Sequence, residues 1–153
     1  MPNTYTQIYF QTVFAVRQRD CIISRIWEDE LYKYITGIVR NEGHKMLAVN
    51  GMPDYIHIFV NMQPVQSISK FLQIVKASSS KWINEKAFLR NKFSWQSGYG
   101  AFSYSKSQID SVVKYINGQK EHHRRKTFRE EYLEFLHLFE IEYDEKYLFK
   151  RIE

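Results

Sequence analysis

Tyr55 and His57 stand two residues apart in Asp54-Tyr55-Ile56-His57-Ile58-Phe59-Val60. Strict alternation around β-branched residues predicts a strand, with Ile56, Ile58 and Val60 on one face. Strand side chains two apart are neighbours, so the phenol and the imidazole project together from the opposite face. Both can act as ligands, the imidazole through a ready lone pair and the phenol after losing a proton of ordinary pKa about 10. Packing alone does not account for two such side chains on an otherwise apolar strand.

A second chemistry-bearing pair lies further along. Tyr115 and Gln119 are four apart in a segment of helical spacing, so they share a face, and His122 falls one turn beyond. The core stripe Ile109-Val112-Val113-Ile116 runs beside them and makes Tyr115 a boundary residue. On its own, an aromatic at such an edge is ordinarily packing.

The elements around these pairs follow from periodicity. Tyr5 to Val16 reads as a strand, with Ile8, Phe10, Phe14 and Val16 on one face and Gln7, Tyr9 and Gln11 on the other. Ile22, Ile23, Ile26, Leu31, Ile35, Ile38 and Val39 recur at helical spacing and predict a helix over 22–40, stopped by Asn41-Glu42-Gly43. His44 to Asn50 is a second strand, joined to the third by the turn chemistry of Asn50-Gly51-Met52-Pro53-Asp54. Ser67 to Phe88 is helical, and Lys70, Lys76, Lys81 and Lys86 read as its solvated side. Phe93 to Tyr104 predicts a fourth strand bent near Gly98 and Gly100. Ser105-x-x-Gln108 has capping-box spacing, so a helix starts there and runs to about Glu121. A last helix spans 128–140. Strand, helix, strand, strand, helix, strand, helix is the order of an α+β, ferredoxin-like split βαβ fold, with an antiparallel sheet and helices on one face.

Composition narrows the setting. A chain of 153 residues is expected to form one domain over 1–153, with 44% hydrophobic and 25% charged residues. No apolar run approaches the roughly 20 residues of a membrane span, and no secretory signal is visible. Cys21 is the single cysteine, which excludes an internal disulfide and fits a cytoplasmic protein. The formal charge of +5 makes an anionic partner plausible but is equally a means of solubility.

Four stretches together resemble the single-tyrosine HUH transposases, the insertion-sequence-200-like enzymes and the related REP-associated tyrosine transposases. They are Gly51-Met52-Pro53-Asp54-Tyr55-Ile56-His57-Ile58-Phe59-Val60, Trp95-Gln96-Ser97-Gly98-Tyr99-Gly100-Ala101-Phe102-Ser103, Tyr115-Ile116-x-x-Gln119, and Glu121-His122-His123 leading into Thr127-Phe128-Arg129-Glu130-Glu131-Tyr132. The resemblance implies a metal-dependent enzyme that nicks and rejoins single-stranded DNA bearing hairpin ends. Tyr115, on a C-terminal helix, would be the nucleophile and form a 5′-phosphotyrosine link. Mg²⁺ or Mn²⁺ would be held by two strand-three histidines and a glutamine, which by position are Tyr55, His57 and Gln119. Tyr55 thus stands where the family has its first histidine. Three readings stay open: Tyr55 as a weak ligand, completion by water or another side chain such as His122, or a copy that binds DNA without cutting it. The resemblance also implies a homodimer with the tyrosine helix docked in trans. Lys114, Lys120, Arg124 and Arg125 flank that helix and are candidates for phosphate contacts, or else charges complementing the helix dipole. The fold alone would also suit a sheet that binds RNA or a protein partner.

Overall fold

The computed structural model of the chain describes residues 3–18, 21–122 and 127–143. Its alternating apolar segments become the strands β1 (Tyr9–Ala15), β2 (Lys45–Met52), β3 (Tyr55–Asn61) and β4 (Gly100–Tyr104). They form one antiparallel sheet in the order β2-β3-β1-β4, as a split βαβ chain requires. The helices among the described residues are α1 (Glu28–Asn41), α2 (Ile68–Lys86), α3 (Ile109–Asn117), α4 (Gln119–His122) and α5 (Phe128–Leu138).

The central strands β1 and β3 pair with Val13 opposite His57 and Phe14 opposite Ile56. That register sends Phe10, Phe14, Ile56, Ile58 and Val60 to one side, where they pack against Leu31, Ile35, Val39, Phe71, Leu72 and Val75 of α1 and α2. Each such buried side chain contributes about 1.5–3 kcal/mol, so this face carries much of the stability. The opposite face is covered as well. Val13, Ala15, Tyr55 and Phe102 pack with Leu136 of α5, while Ala48 and Phe59 pack with Val112 and Ile116 of α3. The sheet therefore holds the two split-βαβ helices on one face and the C-terminal helices on the other.

Several boundaries differ from the periodicity, each for a local reason. The first helix begins at Glu28 rather than near Ile22. The backbone N–H of Ile23 is committed to the Pro53 carbonyl at 2.8 Å, which ties the segment to the β2–β3 hairpin. Ile26 keeps helical spacing in sequence yet is 92% exposed. Glu28, Asp29 and Glu30 then open the helix, their charges complementing its N-terminal dipole. The hairpin itself is tight, and a Cβ at Gly51 would overlap the Tyr55 carbonyl.

The fourth strand is shorter than the aromatic run suggested, covering only 100–104. Upstream of it, Trp95 makes an isolated bridge with Val16, and Gly98 takes φ +85°. Lys76 reaches this bend from α2 and donates to the Gln96 and Gly98 carbonyls at 2.8 and 2.9 Å. Burial lowers the pKa of its ammonium. Lys76 is a loop anchor, and the solvated reading of that lysine is corrected.

The predicted capping residue is in place: Gln108 Oε1 accepts from the Ser105 N–H at 2.9 Å. A short 3₁₀ turn over Lys106–Gln108 leads into α3. The helix expected to continue to Glu121 instead breaks at Gly118, whose N–H bonds the Lys114 and Tyr115 carbonyls at 3.1 and 3.2 Å. Glycine is the weakest ordinary helix former, so the break falls where its helix propensity is lowest.

Candidate active site

Tyr55 and His57 lie side by side on β3, as alternation requires, and both are essentially excluded from solvent. Their ring centroids are 5.5 Å apart. His57 is gripped from both sides. Its Nδ1 lies 2.7 Å from the Gln11 side-chain nitrogen on β1, and its Nε2 lies 2.8 Å from Glu131 Oε1 on α5. Gln11 in turn accepts a hydrogen bond from the Tyr104 hydroxyl on β4 at 2.9 Å. A polar row thus crosses β4, β1 and β3 and orients the imidazole, the kind of support that sets ring orientation and tautomer.

Glu131 reaches His57 because α5 is docked by apolar contacts. Phe135 and Phe139 stack on Phe102 at 5.1 and 5.0 Å, and the Tyr132 hydroxyl approaches so closely that a Cβ on Gly100 would lie 3.0 Å from it. The helix starts cleanly, with Thr127 accepting from the Glu130 N–H at 3.2 Å. Its first turn then delivers a carboxylate that is only 3% exposed.

Tyr115 and Gln119 arrive from α3 and α4. Although Gly118 separates the two helices, both side chains still converge on β3. The Tyr55 hydroxyl donates to Gln119 Oε1 at 3.2 Å, and Gln119 is fully buried. The half-buried Tyr115 ring stands edge-on to His57 at 6.2 Å and to Phe135 at 5.9 Å. Its hydroxyl hydrogen-bonds with Glu131, while Gln119 Nε2 has no hydrogen-bond partner among the described residues. Asn50 on β2 holds the end of α3 by donating to the Ile116 and Asn117 carbonyls at 3.1 and 3.2 Å.

The electrostatics favour protonated phenols. Burial raises the pKa of Tyr55 well above its ordinary value, and the Glu131 charge raises it further. Tyr115 is raised by the same two causes in the same order. Tyr55 is therefore a neutral hydrogen-bond donor in this state. A divalent cation placed among these groups would reverse the trend, because its charge favours ionised oxygens.

The donor set suits such a cation: one imidazole nitrogen (His57), one amide oxygen (Gln119) and one carboxylate (Glu131), all buried. Among the described residues, no cluster of three or more His, Cys, Asp or Glu side chains stands ready for a metal, so an amide oxygen would have to share the work.

Sequence reasoning thus named four residues, Tyr55, His57, Tyr115 and Gln119, that the fold brings together. It missed Glu131 and Gln11. Two acids in the first turn of a helix ordinarily complement its dipole, so only the position of Glu131 four before Phe135, on the buried side of α5, could have marked it. Gln11 carried a fainter signal, an amide near the middle of a strand otherwise rich in apolar residues.

Of the phosphate-contact candidates, Lys114 is exposed on α3. Lys120 is engaged within the chain, donating to the Gly51 carbonyl at 2.6 Å and to Asn50 Oδ1 at 3.2 Å, and pairing with Glu28 at 3.2 Å. Arg124 and Arg125 lie outside the described residues.

The family described as "Transposase IS200 like" matches residues 4–119. The ISDra2 transposase TnpA of Deinococcus radiodurans is 22% identical over 122 residues, spanning 75% of this chain and 86% of that one. A Deinococcus radiodurans R1 crystal structure described as a candidate transposase superposes with a TM-score of 0.61 at 20% identity, covering 76% of this chain and 94% of that one. A REP-associated tyrosine transposase bound to a REP hairpin superposes with a TM-score of 0.54 at 15% identity, covering 76% and 68%.

Proposed function

The chain belongs to the IS200-like transposase family, and from that premise we propose that it nicks and rejoins single-stranded DNA at hairpin-bearing ends, with Tyr115 as nucleophile. One observation supports this reading above the others. Tyr115 and Gln119, which share one helical face, meet His57 from a distant part of the sequence around a buried carboxylate.

The Tyr115 phenol oxygen attacks a backbone phosphorus, the P–O3′ bond breaks, and a 5′-phosphotyrosine and a free 3′-hydroxyl result. The phenol proton passes to Glu131, its hydrogen-bond acceptor, and the departing 3′ oxygen takes a proton from solvent. A second 3′-hydroxyl attacks the phosphotyrosine to rejoin the strand, and Tyr115 recovers its proton. The bond energy is conserved through the covalent link, so no nucleotide cofactor is needed. His57 Nε2 and Gln119 Oε1 would hold Mg²⁺ or Mn²⁺, which supplies charge stabilisation at the phosphate when bound. In this state the Gln11 NH2 faces Nδ1 and the ring proton sits on Nε2. Ligation by Nε2 therefore requires the Gln11 amide to turn its oxygen to Nδ1–H, with the Tyr104 hydroxyl then accepting from its NH2. Tyr55 fixes the Gln119 amide. Exposed Lys114 is the described candidate for contact with the DNA backbone.

A hairpin-bearing oligonucleotide and Mn²⁺ are expected to give a covalent protein–DNA adduct. The same adduct from Tyr115→Phe would show that another residue is the nucleophile.

A second reading draws on Tyr55. A buried phenol that donates to Gln119 offers the cation no negative charge, which favours a relative that binds hairpin DNA but turns over poorly. In that case Tyr55→His raises adduct yield well above wild type; equal yields count against it. We further propose that two copies associate. One chain already sets Tyr115 beside its own His57, so exchange of the tyrosine helix between copies would require the turn between β4 and α3 to swing open. Action on DNA implies the cytoplasm, and no described helix is long and apolar enough to cross a membrane.

A further inference from the structure

We infer that Glu131 is a metal ligand in this chain, supplying from α5 the donor that position 55 lacks on β3. The inference rests on the metal-dependent reading above and deepens it.

Geometry is the first ground. Glu131 Oε1 lies 2.8 Å from His57 Nε2, the nitrogen left facing the cluster once Gln11 engages Nδ1. Neighbouring ligands on an octahedral cation with bonds of about 2.1 Å are separated by about 3 Å, so a shared ion asks for little movement of either side chain. Gln119 Oε1 belongs to the same knot, because the Tyr55 hydroxyl that donates to it also hydrogen-bonds with Glu131.

Charge is the second ground. An imidazole and an amide bring no negative charge to a buried dication. Glu131 is the only fully buried acid among the described residues. A buried carboxylate is costly unless compensated, and a divalent ion shared with His57 Nε2 would add to the phenol contacts that Glu131 makes here. Monodentate ligation uses one of a carboxylate's several lone pairs and leaves others for the Tyr115 hydroxyl. Tyr55 then has a positioning role, orienting Gln119 and Glu131 as a neutral donor. One nitrogen and two oxygens form an oxygen-rich set that suits Mn²⁺ and Mg²⁺ better than a set with two imidazoles.

The test is Mn²⁺ binding to the full chain, followed by loss of the free-ion electron paramagnetic resonance signal. Glu131→Gln is expected to weaken Mn²⁺ binding by at least ~10-fold, and Tyr55→His added to it restores most of the loss by returning an imidazole. An unchanged Kd in Glu131→Gln overturns the assignment and leaves the carboxylate as a proton acceptor only. Wild type labelled with ¹³C at its glutamate carboxyls provides a check that needs no variant. Electron–nuclear double resonance is expected to show one strongly coupled carboxyl carbon, and its absence overturns the assignment equally. The hairpin adduct assay separates this claim from its premise. Glutamate-dependent Mn²⁺ binding without any adduct keeps the ligand and removes the transposase reading; a Tyr115 adduct with unchanged Mn²⁺ affinity in Glu131→Gln does the reverse.

Discussion

The two faces of the sheet are built from the same strands and do opposite work. On the α1/α2 side, β1 and β3 contribute Phe10, Phe14, Ile56, Ile58 and Val60 to a continuous apolar core. On the α3/α5 side, the intervening residues of the same strands are Gln11, Val13, Tyr55 and His57, interleaved with Glu131 and Gln119. Both faces exclude water. One does so with groups that gain from leaving it, the other with groups that lose unless each finds a partner. The polar face meets that condition only in part: hydrogen bonds join Tyr104, Gln11 and His57 Nδ1, whereas His57 Nε2, 2.8 Å from Glu131 Oε1, and Gln119 Nε2 form no hydrogen bond among the described residues. Stability and chemistry are thus segregated by strand parity, and they respond to substitution differently.

The sharpest separation is Tyr115→Phe, which removes a hydroxyl at a half-buried ring. Adduct formation on a hairpin oligonucleotide is expected to vanish while the urea midpoint moves little. A large loss of stability would mean that the phenol contact with Glu131 is structural. Phe14→Ala on the apolar face inverts the pattern. It should cost about 3–5 kcal/mol in denaturant unfolding, with adduct formation per folded molecule nearly intact at low temperature.

Gln11→Leu probes the polar row. It leaves His57 Nδ1 and the Tyr104 hydroxyl without their partner, so a loss of about 1–3 kcal/mol in stability is expected. Mn²⁺ affinity should also fall by about 10-fold, measured by calorimetric titration, because the imidazole is no longer oriented. Stability loss alone would make Gln11 a packing residue.

The smallest effect is in alkaline unfolding. Burial pushes the Tyr104 phenol up to about 12. The folded state then holds a proton that the unfolded chain releases near 10, so stability is full below pH 10 and declines as pH rises from 10 towards 12. Tyr104→Phe should flatten that decline in unfolding curves collected at pH 9 to 12. An unchanged slope would place its cause elsewhere, Tyr32 included, which burial also raises.

Much of this was legible residue by residue. Alternation in Tyr55-Ile56-His57-Ile58 put the two ligand-capable side chains on one face, and the spacing of Tyr115 and Gln119 put them on another common face that survives the break at Gly118. Periodicity misled at Ile22 and Ile26, where a backbone bond from Ile23 to Pro53 overrides helical spacing. Lys76 was equally opaque. Its position on α2 reads as solvent-facing, but its ammonium is drawn under the Gln96–Gly98 bend by two carbonyls that the fold brings within reach.

What the sequence determined by itself is parity: which side chains share a face follows from a two-residue strand repeat and a 3.6-residue helix repeat, both intrinsic to the local backbone. It settled in this way that Tyr55 and His57 would stand together and that the apolar set would face away from them. Only the tertiary structure decided what stands opposite His57. Glu131 reaches it because Phe135 and Phe139 stack on Phe102 and seat α5 against the second face of the sheet. A first-turn acid looks the same in sequence whether it meets water or an imidazole, and docking between distant segments, which no local repeat encodes, makes the difference.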